Sequence, residues 1–303
     1  MIAGNQGRLT GNSQAALSIR TDHRGQSTDS AHRRAAMTVL DHLVRPDVPT
    51  TGWATAQGRR RVAADAATAR TATATGRFAI AVADGIGDIP EAVQAARLAV
   101  EVAADEAWGA DVMGVPPAVR HALDRATPTV PISRLPDEAT AVIPSRVARP
   151  APPSDARSGD TTYVVAAGDR HHGWSVTWVG DCRAYFVPLV PDTPAGHGPA
   201  VLLTADHTIG QYLRERGVNA NPSLDRVVTT TARKGVPGYA AGPPGAGRLV
   251  LLTNGVHHQL DAEDIARIAA SVGDPAEAAR LLVAAALDSG GTDNAAAAVA
   301  DLR

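Results

Sequence analysis

The chain reads as an α+β protein in which antiparallel strands build a sandwich of sheets covered by helices. Three observations point there. Short β-rich runs recur along the chain, and two of them, 161–167 and 174–179, flank the polar stretch 168–173 in the manner of a hairpin. Helical periodicity is confined to a few longer stretches. No internal repeat divides the 303 residues, a length that suits one large domain or two small ones.

Residues 1–51 lack sustained periodicity and are expected to form a mobile arm, with a short amphipathic helix at 35–44 (AAMTVLDHLV). A strand begins at Trp53, and the remaining chain, 52–303, is expected to be the folded domain. The run 78–88 (FAIAVADGIGD) alternates alanine with larger apolar residues and stops at Asp84, followed by Gly85 and Gly87. That pattern predicts a buried strand ending in a tight turn, where glycine lets a ligand approach the backbone closely. Helical spacing over 89–107, with Pro90 and Glu91 at its start, predicts a helix, and a second is expected at 117–125. The Pro- and Ala-rich stretch 128–156 reads as a loop or disordered insertion.

After the hairpin, 183–189 and 199–204 extend the sheet, and 209–216 forms a short helix closed by Gly217. The segment 224–231 suits either a strand or a helix. A buried strand is expected at 248–253, amphipathic helices at 261–270 and 275–287, and a weak terminal strand at 295–302 (AAAAVADL).

Composition narrows the function classes. Aromatic residues are only 3% against 44% hydrophobic, so the core must be close-packed small aliphatics. A net charge of −2 makes no electrostatic case for nucleic acid or an anionic membrane. One cysteine, Cys182, excludes an intrachain disulfide and fits a reducing cytoplasm. The N-terminus has no apolar signal-peptide core and no stretch is long and apolar enough to span a membrane, so a soluble cytoplasmic monomer is expected.

Several carboxylates share one kind of position, where an apolar run meets a glycine-rich or polar turn. Asp84 follows IAVA, Asp181 follows SVTWVG, Asp293 lies in GGTDN, and Asp65 follows the arginine run 59–61. Hard divalent cations want several oxygen ligands, and strand ends can converge to supply them. An arginine beside such a cluster suits phosphate oxygens, ideally through two parallel hydrogen bonds. Each aspartate taken singly is an ordinary turn residue. Trp174 and Trp178 share one strand face and should pack in the core, and Cys182 reads as a small packed residue. The pairs His171–His172 and His257–His258 read as turn and packing residues, since strand neighbours point apart.

Taken in order, these segments resemble the metal-dependent protein phosphatases of type 2C, the PPM-type serine/threonine phosphatases in their compact bacterial form. The resemblance runs from about Gly52 to Arg303 and rests on seven segments: 58–66 (GRRRVAADA), 78–88, 158–162 (SGDTT), 179–185 (VGDCRAY), 203–217, 249–256 (LVLLTNGV) and 293–300. It implies a four-layer α/β/β/α sandwich of two antiparallel sheets and hydrolysis of protein phosphoserine and phosphothreonine by a metal-activated water. Two Mn²⁺ or Mg²⁺ ions would be expected, with a third site available. By the same resemblance Asp84 would bridge the ions and Gly85 would offer its carbonyl. Asp293 would be a further ligand, and Asp181 would hold the additional metal. Asp65 would support the site from just outside the ligand shell, Arg60 would bind phosphate, and His207 would play a structural part. The implied partner is a phosphorylated protein, as in serine/threonine kinase pathways.

Two departures fall at the implied metal centre. Asn254 stands where the family has aspartate, and Ala64 where it usually has an acidic or other polar ligand. An asparagine offers a carbonyl oxygen but no charge. Asp88 stands where the family often has glycine and adds one acid nearby. These departures leave open a phosphatase-like module that binds without turnover, or a hydrolase of small phosphoesters.

Overall fold

The computed structural model describes residues 51–302 apart from 73, 110–111, 127–158 and 170. The expected N-terminal arm with its helix at 35–44 and the Pro/Ala-rich insertion lie outside the described residues, except that Thr51 already belongs to the first strand.

Two five-stranded antiparallel sheets stack face to face. One has the order β1 (Thr51–Ala56), β10 (Ala295–Leu302), β9 (Gly247–Leu252), β6 (Arg183–Pro188), β7 (Val201–Leu202). The other runs β2 (Asp65–Ala72), β3 (Arg77–Gly85), β4 (Thr161–Asp169), β5 (Gly173–Val179), β8 (Gly238–Gly242). Helices α1 (Pro90–Gly109) and α2 (Val115–Arg125) cover the outer face of the β3 sheet. Helices α5 (Ala262–Ala270) and α6 (Pro275–Asp288) cover the β10 sheet. The layers are therefore α/β/β/α, as expected. Two short helices, α3 (Ile209–Arg214) and α4 (Asn254–His257), complete the α-helices of the described residues.

Strand alternation sorts the side chains between layers. Along β3, Phe78, Ile80 and Val82 enter the space between the sheets, while Ala79, Ala81 and Ala83 face α1. The helix answers with Ala95, Ala96, Ala99 and Ala103, so methyl packs on methyl and the helix lies close against the sheet. Strand β10 repeats the logic. Ala296, Ala298 and Ala300 line the intersheet core, and Ala295, Ala297 and Val299 face the helices. The stretch read as a weak terminal strand is buried throughout and lies between β1 and β9. Its alanines have low β-propensity, and burial on both faces is what holds it extended.

Strand β2 had no strand signal in sequence, because DAATARTA carries no large apolar residue; pairing with β3 along its length forms it. Strand β8 was likewise unexpected. The ambiguous segment 224–231 is neither strand nor α-helix: a 3₁₀ turn at Pro222–Arg226 is capped by Asn221, which accepts the Ser223 N–H at 2.9 Å. Trp174 and Trp178 are both buried in the intersheet layer.

Arg248 is the largest fully buried side chain among the described residues. It pairs with Asp301 across the β9–β10 register at 2.6 Å. Nη1 donates to the carbonyls of Ala269 and Val272 and Nη2 to that of Gly273, at and just beyond the C-terminus of α5. One guanidinium thus ties two strands to the covering helix.

Among the described residues no helix is long and apolar enough to cross a membrane.

Candidate active site

The candidate site lies where the chain passes between the sheets. The β1–β2 connection carries Arg60, the β5–β6 connection carries Asp181, β3 ends at Asp84 and Gly85, β9 is followed by Asn254, and Asp293 precedes β10. Arg60, Asp84, Gly85, Asp181, Asn254 and Asp293 all line one open cleft of about 370 Å³. Segments far apart in sequence therefore meet at one end of the sandwich.

Asp65 and Asp84 face each other in the β2–β3 register, but only Asp84 lines the cleft. Asp65 lies behind it, buried, and accepts the Thr253 hydroxyl at 2.7 Å; that hydroxyl in turn accepts the Ala296 N–H. Thr161 fixes the end of β3 by donating its hydroxyl to the Asp84 carbonyl at 2.7 Å. At Gly85 a Cβ would stand 2.4 Å from the Ala92 carbonyl oxygen of α1, so the close approach needs glycine.

The arginine loop is held by two side chains. Asn294 accepts the Ala64 N–H at 2.8 Å and donates to the Gln57 and Val62 carbonyls. Asp88 accepts the N–H groups of Arg61 and Val62, so this acid is spent on anchoring the loop, although it also borders the cleft. Of the three arginines, Arg60 reaches the cleft, where it donates to Asp293 at 2.6 Å.

Burial, then the charges of Asp65, Asp181 and Asp293, hold the Asp84 carboxyl well above the ordinary range. Burial likewise raises Asp65, to about 7, and Asp181, the latter with help from Asp206. Oδ1 of Asp181 is buried with no hydrogen-bond partner among the described residues. A buried carboxylate oxygen left unpaired among like charges is costly, and a cation relieves it. Against this, Asn254 turns its Nδ2 to Asp84 Oδ2 at 2.7 Å, and no three His, Cys, Asp or Glu side chains among the described residues close into a ready cage. The residues fit a hard divalent cation held by few protein oxygens, with water completing the shell.

The other residues weighed from sequence fall outside this chemistry. His207 stacks on Trp178 and accepts the Gly180 N–H, fixing the turn before Asp181. His257 is buried with Nε2 on the Asp181 carbonyl, and burial keeps its pKa well below the ordinary value. His171 and His172 form a turn around Asp169. Cys182 is buried against the Thr162 hydroxyl, and burial raises its pKa well above the ordinary range. Sequence reasoning missed Arg226 and His258, which also line the cleft. Arg226 stands in the segment whose conformation was ambiguous, and His258 was weighed only as half of a pair.

No protein-family model matches the chain, and a comparison with curated proteins finds no match. Solved structures do match. The serine/threonine phosphatase PstP/Ppp of Mycobacterium tuberculosis superposes with a TM-score of 0.63 at 20% identity, over 84% of this chain and 99% of that one. The PPM Ser-Thr phosphatase MsPP of Mycobacterium smegmatis, in complex with cacodylate, gives 0.59 at 24% identity, over 84% and 98%. A catalytic domain of PstP in complex with two manganese ions gives 0.60 at 20%, over 84% and 98%. The four-layer sandwich described above is the fold these phosphatases share.

Proposed function

We propose that this chain is a PPM-type serine/threonine phosphatase that hydrolyses phosphoserine and phosphothreonine in proteins with Mn²⁺ or Mg²⁺. The observation that carries the reading is the convergence of Asp84, Asp181, Asp293 and Arg60 on one cleft between the sheets. Likeness in fold to phosphatases supports it, one of them described with two manganese ions.

Asp84, the Gly85 carbonyl and Asp293 would hold the cations, with Asp181 available to a further one and Asp65 supporting from behind. A divalent cation there supplies Lewis acidity, making a water nucleophilic near neutral pH and offsetting phosphoryl charge. The chain's own residues do the rest. Arg60 and Asp293 are 48% and 39% exposed, and an ion pair so open to water is worth at most about 1 kcal/mol. Arg60 can therefore leave Asp293 for the phosphoryl oxygens, where two parallel N–H···O bonds are stronger and orient the phosphorus. Asn294 and Asp88 keep the Arg60 loop in place for that exchange.

A second reading is favoured by one contact. Asn254 gives Asp84 an N–H where an oxygen ligand would serve a cation, which suits a phosphatase-like module that binds phosphoprotein without turnover. One experiment separates the two. The protein is assayed with Mn²⁺ on a phosphopeptide and on an aryl phosphate, beside Asp84→Ala and Asn254→Asp. Turnover by the unaltered protein that disappears in Asp84→Ala supports the enzyme. Turnover gained only in Asn254→Asp supports the binding module. Silence in all three proteins overturns the enzyme and the idea that Asn254 alone silences it, and phosphopeptide binding then decides whether the module binds.

A further inference from the structure

Two arginines line the cleft, and they are not equivalent. Arg60 pairs with Asp293 and, on the reading above, turns from it to the phosphoryl group. Arg226 is exposed and makes no hydrogen bond or ion pair through its side chain among the described residues. The nearby acids do not neutralise it. Asp225, its neighbour in sequence, pairs with Arg214 at 2.7 Å, and Asp88 is occupied by the N–H groups of Arg61 and Val62. His258 shares the cleft, and burial with the charges of Arg183 and Arg226 keeps it below its ordinary pKa. Arg226 is thus the unpaired fixed cation of the cleft among the described residues.

Its backbone is held firmly. Asn221 caps the 3₁₀ turn that ends at Arg226, and the adjacent Asp225 lies so near Gly210 that a Cβ there would stand 1.9 Å from its Oδ1. Ile209 donates to the Val227 carbonyl at 2.9 Å, and Thr229 donates to that of His207 at 2.8 Å. His207 donates to Gly180, the residue before Asp181. The arginine is therefore mounted on a module bolted to the same connection that carries one of the cleft carboxylates. A cation placed in this way, with its partners withheld, loses little on meeting an anion.

The cleft falls in the size range of pockets that enclose drug-sized ligands, more than one phosphoryl group requires. We propose that Arg226 forms a subsite for a second anionic group of the substrate, a carboxylate or phosphate on a residue flanking the phosphoserine or phosphothreonine. The proposal rests on the phosphatase reading above and names the substrate class within it. The chain should prefer phosphopeptides whose neighbouring residues are acidic or themselves phosphorylated.

The test is binding, so it does not depend on turnover. Fluorescent peptides carrying a non-hydrolysable phosphonate analogue of phosphoserine are titrated with the protein in Mn²⁺ buffer, in three versions: glutamate flanks, glutamine flanks, and a second such analogue in a flank. The expected result is an affinity about fivefold higher for the glutamate over the glutamine version, a ratio that falls to about one in Arg226→Ala and inverts in Arg226→Glu. The peptide with two analogues shows which anion the subsite prefers, by binding more or less tightly than the glutamate version. Thermal unfolding of both variants serves to establish that they fold. Equal affinity for all three peptides in the unaltered protein overturns the subsite alone. So does a uniform loss across all peptides in Arg226→Ala, which would put Arg226 on the shared phosphoryl group. Absence of binding to any of these peptides overturns the phosphatase reading and the subsite with it.

Discussion

Asn254 and Asp84 meet through an amide N–H and a carboxylate, a bond that an aspartate at 254 could not make. With aspartate there, a further carboxylate would join Asp84, Asp181 and Asp293 in the cleft, repelling them in the absence of a cation and serving it better when it arrives. Asn254→Asp is therefore expected to raise Mn²⁺ affinity about tenfold, about 1.4 kcal/mol, while lowering the stability of the metal-free protein. Manganese titration followed by electron paramagnetic resonance measures the first effect and thermal unfolding in chelator the second; unchanged affinity would show that position 254 does not touch the cation. The next residue sets a steric limit. A Cβ on Gly255 would lie 1.8 Å from the Asn294 carbonyl oxygen, against backbone that the arginine loop depends on. Gly255→Ala should cost about 2 kcal/mol or more in urea unfolding. At this scale the sequence was most informative where a residue sits inside a motif, as Asp84, Asp181 and Asp293 do. It was least so for Arg226, whose place in the cleft comes from a 3₁₀ turn that no periodicity announces.

At the scale of elements, two features lend themselves to measurement. Arg248 and Asp301 bond in near-complete burial, so removing one partner strands a charge in the core. Asp301→Ala is expected to lose about 3–5 kcal/mol in urea unfolding. The β4–β5 hairpin is closed by Asp169. Partial burial raises its pKa, but the His172 ring and the His171 and His172 N–H groups outweigh it and hold the carboxyl at about 2. The folded pKa lies below the unfolded one near 3.8, so the carboxylate's stabilisation is complete above the latter and is lost as pH falls through the former. Asp169→Asn should then lose on the order of 1 kcal/mol at pH 7, a gap that narrows toward zero as pH falls through about 2, followed by melting temperature across that range. Helices α1, α5 and α6 were legible because their apolar period and starting prolines or caps agree with their packing. Strands β2 and β8 were not, because alanine and glycine dominate them, carry little β-signal, and leave the strands to exist through their neighbours.

At the scale of the whole molecule, the layers follow from side-chain size. With few aromatics, alanine-on-alanine contacts let sheets and helices approach closely, and the β-rich runs with long covering helices were enough to foresee the sandwich. Sequence alone did not foresee that the terminal alanine strand would be internal to its sheet. The cleft gathers carboxylates at one end of both sheets, and burial, then the charges of its neighbours, raises Asp84. A cation binding only the folded state at a hundred times its dissociation constant adds about 2.7 kcal/mol, about 5 to 10 °C for a domain of this size. Mn²⁺ should raise the melting temperature by that amount and chelator should reverse it; an unchanged transition would remove the cation from the site.

Because Asp84 belongs to one sheet and Asp293 leads into the other, their separation gauges how the two layers are aligned. A lateral slip of a single residue, about 3.3 Å, would dismantle the constellation while leaving each sheet internally intact. The methyl groups of Ala296, Ala298 and Ala300 set that alignment from the interior. In a saturation mutagenesis map, then, these alanines should score with the cleft aspartates: enlargements too mild to unfold the protein would still silence it, at positions remote from any substrate.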